Sequence, residues 1–118
     1  MNQETARYII NYFSRYMTKD ESLAWRHYSS TIKLADNDNP ALTKMYYKKG
    51  WLSDDPKILN LLKDGYDEFE KNTADRILKE NEKEIYLNKC PKCSRLARTP
   101  KARQCRHCGY NWHETKKN

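Results

Sequence analysis

The sequence has only three glycines among 118 residues and no long apolar run. Loops that cradle phosphate need closely spaced glycines, and neither G-x-x-x-x-G-K nor G-x-S-x-G occurs. No stretch approaches the roughly 20 apolar residues that a membrane helix needs. The opening residues, MNQETARYIINYF, lack the cationic segment, apolar run and cleavage site of a secretory signal. We therefore expect a soluble, cytoplasmic protein with no membrane association.

Groups that would form a catalytic site are also missing. No pair of carboxylates, nucleophile with a base, or open metal site can be assembled from the sequence. The segment DNDNP contains Asp36 and Asp38, but it lacks the glycine and the third oxygen ligand of a calcium loop. We expect a protein that is not an enzyme and has no small-molecule substrate.

Positive charge is concentrated at the C-terminal end of the chain. The net charge is +7, yet residues 1–88 carry 14 Lys and Arg against 15 Asp and Glu. Residues 89–118 carry nine Lys and Arg against one Glu, a balance of +8. This segment would attract an anionic partner.

Residues 1–85 predict an all-α domain, because apolar residues recur at helical spacing between turn signals. Thr18 and Glu21 form a capping box, and Asn39 with Pro40 is typical of a helix start. Ser53 or Asp55, followed by a proline, predicts another start. The pattern indicates a bundle of five short helices over about 6–17, 19–34, 40–49, 56–64 and 66–85.

Two aromatic groups stand out in this region. Tyr8, Tyr12 and Tyr16 form a stripe at i, i+4 and i+8, which is typical of the rim of a core, with a partner surface as the alternative. Trp25, Arg26, His27 and Tyr28 are dense enough to suggest a site. A single histidine without a second ligand or an acid nearby favours a core or surface position instead.

Four cysteines form two C-x-x-C pairs, Cys90 with Cys93 and Cys105 with Cys108, separated by eleven residues. Such a pair lets two sulfurs approach one ion from a tight turn, and Gly109 suits the close of the second turn. This pattern predicts one structural Zn²⁺ held by four thiolates. Iron and a pair of disulfides are the alternatives, and His107 or His113 could replace a cysteine as ligand.

The two turns need a connecting hairpin if they are to meet. Arg95–Arg98 predicts a short strand, Thr99–Lys101 a turn and Ala102–Gln104 the returning strand. Leu96, Tyr110 and Trp112 are the candidate apolar cushion under the metal.

The knuckles C-P-K-C and C-R-H-C-G resemble the zinc-ribbon family, including its rubredoxin-like members, over residues 86–113. The resemblance implies a small C-terminal module, residues 86–118, with a closed metal site. Two departures are Ser94 in place of a glycine after the first knuckle, and a connecting segment shorter than in an iron rubredoxin, which favours zinc. The family includes nucleic-acid-binding and protein-binding members, so the resemblance leaves the partner open.

Basic residues crowd the predicted hairpin and second knuckle, where strand alternation would place several on one face. They are candidates for binding nucleic-acid phosphates, with Tyr110 or Trp112 as a stacking platform. The alternatives are a protein-protein adaptor with a purely structural zinc site, and charge that serves solubility or docking on the helical domain. The candidate nucleic-acid-binding residues are Arg95, Arg98, Lys101, Arg103 and Arg106.

Overall fold

The computed structural model describes residues 1–113 and is mainly helical over that range. These residues form five α-helices and no strand, and a short 3₁₀ turn, Ser14–Tyr16, separates the first two helices. The helices are α1 (Gln3–Tyr12), α2 (Lys19–Leu34), α3 (Pro40–Lys48), α4 (Pro56–Leu61) and α5 (Tyr66–Glu80).

The predicted helix starts are confirmed by their caps. At the start of α2, the Thr18 backbone N–H donates to Glu21 Oε1 at 2.8 Å, and the Glu21 N–H donates to Thr18 Oγ1 at 3.1 Å. Asn39 caps α3 through the Ala41 N–H. Asp55, rather than the alternative Ser53, caps α4. Local hydrogen-bonding chemistry therefore decides where these helices begin.

Three predicted helix ends are wrong, and the smallest difference is at α4, which ends at Leu61 instead of about residue 64. The pattern up to Met17 predicted a longer first helix, but α1 stops at Tyr12 and the chain turns through the 3₁₀ segment. Similarly, α5 ends at Glu80 instead of Ile85, and the next residue, Asn81, has a non-helical φ of −131° while its side chain and backbone both donate to the Ile77 carbonyl. The turn that follows brings Ile85 into the core, where it is 7% exposed.

The main core lies between α1 and α5. Ile9 and Ala6 of α1 and Ile77 and Ala74 of α5 are fully buried. Small alanines on both helices let their axes approach closely while the isoleucines fill the remaining space. Leu96, from the cysteine segment, belongs to the same cluster. The helices and the C-terminal segment thus share part of one core.

Two carboxylates are buried in the helical region, and each is paired. Glu70 is 1% exposed and accepts hydrogen bonds from Arg7 and Gln3. Glu21 accepts from Arg76, with an Nε to Oε2 distance of 2.9 Å. Buried charge needs such partners, because desolvation otherwise outweighs its attraction to the protein.

Helix α3 packs less tightly than the others. None of its nine residues, all within the described range, is buried. Met45 and Tyr47 are 37% and 47% exposed. The described residues also contain no helix that is both long and apolar enough to span a membrane.

Candidate metal centre

The first cysteine pair lies in a tight turn closed by its own backbone. The Ser94 N–H donates to the Cys90 carbonyl at 2.9 Å, and the Cys90 N–H donates to the Arg95 carbonyl at 2.9 Å. Ser94 has a φ of +66°, the only positive value among the described non-glycine residues. The left-handed conformation expected of a glycine is thus adopted by a serine here.

The second cysteine pair repeats this turn fifteen residues later. Gly109 donates to the Cys105 carbonyl at 3.0 Å, and Cys105 donates to the Tyr110 carbonyl at 2.8 Å. Gly109 has a φ of +80°. Each turn carries one isolated antiparallel bridge, Lys89 with Leu96 and Gln104 with Asn111. The two halves of the site therefore have the same backbone.

The four sulfur atoms meet in a single cluster. They all lie within 4.8 Å of one another, and the distances are 3.7 Å from Cys90 to Cys108 and 3.5 Å from Cys93 to Cys105. A tetrahedron with metal–sulfur bonds of about 2.3 Å has edges of about 3.8 Å. A disulfide would require about 2.05 Å, and all four cysteines are free. The spacing fits one metal ion between the sulfurs, and the four cysteines form no disulfide in this structure.

Backbone N–H groups stabilise the first thiolate of each pair. His107 and Cys108 donate to Cys105 Sγ at 3.3 and 3.4 Å. The Cys108 N–H, with that of His107, lowers the pKa of Cys105 to about 6. Burial acts to raise the pKa of Cys90, but the N–H groups of Cys93 and Lys92 outweigh it and lower that pKa. Both thiols are thereby prepared to bind a metal.

Crowding has the opposite effect on Cys93. The Arg95 N–H acts to lower the pKa of Cys93, but burial and the neighbouring sulfurs, Cys105 foremost, raise it to about 11. Thiolates this close repel one another, and a bound divalent cation would remove that repulsion. The donor set thus fits a thiophilic cation such as zinc or iron.

Neither alternative histidine joins the sulfur cluster. His107 Nε2 lies 3.3 Å from a carboxylate oxygen of Glu4 on α1. His113 is exposed and lines an outer cleft. The ligand candidates within the described residues are therefore the four predicted cysteines, which form a site with four protein ligands.

The predicted connecting hairpin is not shown. Within residues 1–113, β pairing is confined to the two isolated bridges, which lie inside the separate turns. The connection is held instead by Asn88, which is 1% exposed and donates from Nδ2 to the carbonyls of Thr99 and Ala102, both at 2.9 Å. The Asn88 side chain thus makes hydrogen bonds that backbone groups would make in a hairpin.

Tyr8 joins this network to the helices. Its hydroxyl donates to the Tyr86 carbonyl at 2.7 Å and accepts from the Asn88 N–H at 3.2 Å. A tyrosine hydroxyl is protonated at neutral pH and can donate, and burial raises the pKa of Tyr8 further. Tyr8 is 4% exposed and belongs to the core, while Tyr12 is 39% exposed. Sequence reasoning missed Tyr8 and Asn88 as site residues, because neither carries a local signal.

The apolar cushion is partly as predicted. Trp112 is 6% exposed and packs in the cluster around Cys90 and Cys105, with Tyr110 at its edge. Leu96 does not join that cluster, because it points into the core between α1 and α5. Ala97, which the sequence did not single out, takes its place under the metal site at 1% exposure.

Four of the five candidate basic residues have no described ion-pair partner. Arg95, Arg98 and Lys101 are exposed, and Arg103 is half-buried. Arg106 instead contacts Glu4 at 2.7 Å. Burial acts to raise the pKa of Glu4, but Arg106 outweighs it and lowers that pKa. A cleft of about 410 Å³ brings together Arg98, Arg103 and Arg106.

The residues present can thus hold one metal ion beside a basic surface. No protein-family model, curated protein or solved structure matches this chain. The four-cysteine cluster, with its spacing and hydrogen bonds, is accordingly the observation from which function must be argued.

Proposed function

We propose that this is a non-catalytic zinc-ribbon protein that binds one structural Zn²⁺ through Cys90, Cys93, Cys105 and Cys108, and binds nucleic acid through its basic C-terminal module. The observation that carries the proposal is the sulfur cluster, whose 3.5 and 3.7 Å separations suit a tetrahedral ion. Four protein ligands fill the coordination shell of zinc, so no position remains for a reacting water. The ion stabilises the fold and takes no part in catalysis.

The positive charge of the C-terminal segment favours an anionic partner. Four thiolates and one Zn²⁺ together contribute −2, so the segment 89–118 keeps a balance of about +6 from the +8 of its ionised side chains. The exposed cations Arg95, Arg98 and Lys101 lie on a module that the metal makes rigid. Cations held on a rigid surface favour a polyanion over a mobile counterion. The ion pair with Glu4 assigns Arg106 to positioning the module.

The test is fluorescence anisotropy with labelled single-stranded and duplex DNA and RNA over a range of salt concentrations. We expect affinity to fall steeply with salt. The double variant Arg98→Glu/Arg103→Glu should make the negative slope of log K against log salt shallower by about 2, because each lost phosphate contact contributes about 1 to its magnitude.

The matched control is Lys63→Glu/Lys83→Glu, which makes the same charge change at exposed residues of the helical region. It should retain most of the salt slope. Equal losses in the two double variants would mean that net charge alone drives binding, and no retention at low salt would reject a nucleic-acid partner. Metal content and absorbance at 260 nm of the purified protein provide an independent check.

A protein partner is the second candidate, favoured by apolar side chains that the helices leave exposed. Ile32 is 57% exposed and Tyr47 is 47% exposed. This adaptor role predicts a stoichiometric protein partner that stays bound after nuclease treatment. Loss of all bound material on nuclease treatment would favour nucleic acid.

A further inference from the structure

One face of α2 combines aromatic, hydroxyl and basic side chains. They recur at spacings of three and four residues, so they form a continuous stripe along the helix. No Asp or Glu interrupts the stripe, and the acids of this helix, Asp20 and Glu21, lie in its first turn. The members of the stripe are Ser22, Trp25, Arg26, Ser29, Ser30 and Lys33.

Two further rings face this stripe across a cleft of about 270 Å³. Tyr46 comes from α3, and Trp51 comes from the turn that follows it. With Trp25, three aromatic side chains from three different segments line the same space, together with Arg26 and Lys33. Among its described lining residues there is no carboxylate. We call this space the aromatic cleft.

Two of the three rings are held by contacts with each other and with a neighbouring cation. Tyr46 and Trp51 are arranged edge to face, with ring centroids 5.1 Å apart. Lys49 Nζ lies 5.3 Å from the Trp51 ring and adds a third cation to the region. A preorganised aromatic lining loses little conformational entropy when a ligand binds.

These three rings are not part of the hydrophobic core. Trp25 is 38% exposed, Tyr46 and Trp51 are half-buried, and none of the three belongs to a buried cluster. Large aromatic side chains normally bury most of their surface when they serve packing alone. Their partial exposure beside cations leaves ring area for a ligand with an aromatic part and a negative charge.

The geometry points to the aromatic cleft as a binding site for a nucleotide unit, in which a base stacks on the ring lining and Arg26 and Lys33 bind the phosphate. Aromatic rings stack with any base, and exposed cations beside them bind the adjoining phosphate. A free mononucleotide and one nucleotide of a single strand share this chemistry. The site uses no residue of the cysteine module, so it goes beyond the function proposed above.

The experiment measures binding of two probes, adenosine monophosphate by calorimetry and a short labelled oligothymidylate by anisotropy. We expect Trp25→Ala to weaken binding about tenfold or more, in line with the usual contribution of one stacked base. Lys33→Glu, a change at an exposed position that leaves the rings intact, should also weaken binding severalfold. Lys83→Glu is the matched control, because Lys83 is exposed and does not line the cleft.

All variants are also made in the Arg98→Glu/Arg103→Glu background, which separates this site from the basic module. Loss caused by Trp25→Ala and Lys33→Glu in that background supports the aromatic cleft, whether or not the module binds. Binding of both probes indicates a free nucleotide site, and binding of the oligonucleotide alone indicates a strand site. If neither probe binds, or if Lys33→Glu and Lys83→Glu bind equally well, the inference is overturned, and the proposed function can still stand on the module.

Discussion

Different groups fill the interior of the helical region and the interior of the cysteine module. In the helices, Ile9, Ile77 and Phe69 are buried among apolar neighbours in the described structure. In the module, the buried cluster consists of Cys90, Cys105, Ala97 and Trp112. Fully burying one isoleucine or phenylalanine contributes roughly 1.5–3 kcal/mol, whereas zinc binding by small zinc modules contributes about 10–16 kcal/mol. The comparison teaches that one end of the chain is built for hydrophobic burial, whereas the other end brings together four cysteines that could hold a metal ion.

Removal of the metal should have the largest effect, centred on the module and reaching the helices where Leu96 packs between α1 and α5. We expect a strong chelator, or Cys105→Ser, to abolish the dispersed NMR signals of residues 86–113, because the four thiolates then lack the cation that holds them together. Signals of α1 and α5 should remain. Zinc added in excess should restore the wild-type spectrum after chelation, and magnesium, which prefers oxygen ligands, should not. If the NMR signals of the module persisted in chelator, metal coordination would not be what stabilises the module.

Ile77→Ala should destabilise the helical region and leave the metal site nearly unchanged, which is the opposite of metal removal. Ile77 is 0% exposed, so the cavity should cost about 2–5 kcal/mol of unfolding free energy, measured by urea denaturation. Zinc affinity, measured by competition with a chromophoric chelator, should change little. The matched control is Ile32→Ala, the same substitution at 57% exposure, which should alter stability by less than about 0.5 kcal/mol. A parallel loss of zinc affinity would show that the two regions act as one unit.

Asn88→Ala tests the joint between the regions. It leaves the Ala102 carbonyl without its donor and removes one of the two donors to the Thr99 carbonyl, which should cost about 1–3 kcal/mol, or roughly 5- to 150-fold in zinc affinity. Chelator competition again provides the measurement. Asn111→Ala, at an exposed position in the module, is the control and should bind zinc nearly as well as the wild type. Equal affinities of the two variants would remove Asn88 from the organisation of the site.

The smallest expected effect is a pH dependence that belongs to the helical region. His27 Nδ1 accepts the Ser53 N–H at 3.0 Å, and burial lowers the pKa of His27 below its usual 6.5. The unfolded chain therefore binds a proton first as pH falls, so the stability from neutral His27 is present above about 6.5 and lost as pH falls through the lowered value. His27→Asn keeps an acceptor and should flatten this dependence.

The pH dependence of stability is measured by urea denaturation at pH about 7.5 and 5.5. The variant His113→Asn, at an exposed position, is the control. Acid release of zinc affects all proteins alike and cancels in the comparison. An unchanged pH dependence in His27→Asn would contradict the assignment.

Local chemistry made the helix starts and the four-cysteine cluster predictable. Thr18 with Glu21, Asn39 with Pro40 and the paired cysteines each act through neighbours only a few positions away. Features that depend on distant parts of the chain were missed. Asn88 meets Tyr8 across 80 positions, which no short window of sequence reveals.

The same reason explains the absent hairpin and the unforeseen aromatic cleft. The hairpin was predicted because the two knuckles had to meet, but the connection is supported by one buried amide. Trp25, Tyr46 and Trp51 converge only after α2 and α3 have packed. The division of the chain at residue 85, zinc as the metal, and the choice of partner stay predictions.

The repeated turn has a consequence for how the module is used. Its two copies share a backbone, but the first presents Leu96 to the helices, where the second has the exposed Asn111. The first copy is therefore an apolar anchor, whereas the second, built to the same plan, contacts α1 through Arg106 and His107, which meet Glu4. Exposed residues of the second copy that do not contact Glu4, such as Asn111, can be exchanged without loosening the Leu96 anchor, so this surface can diversify while the attachment to α1 stays constant.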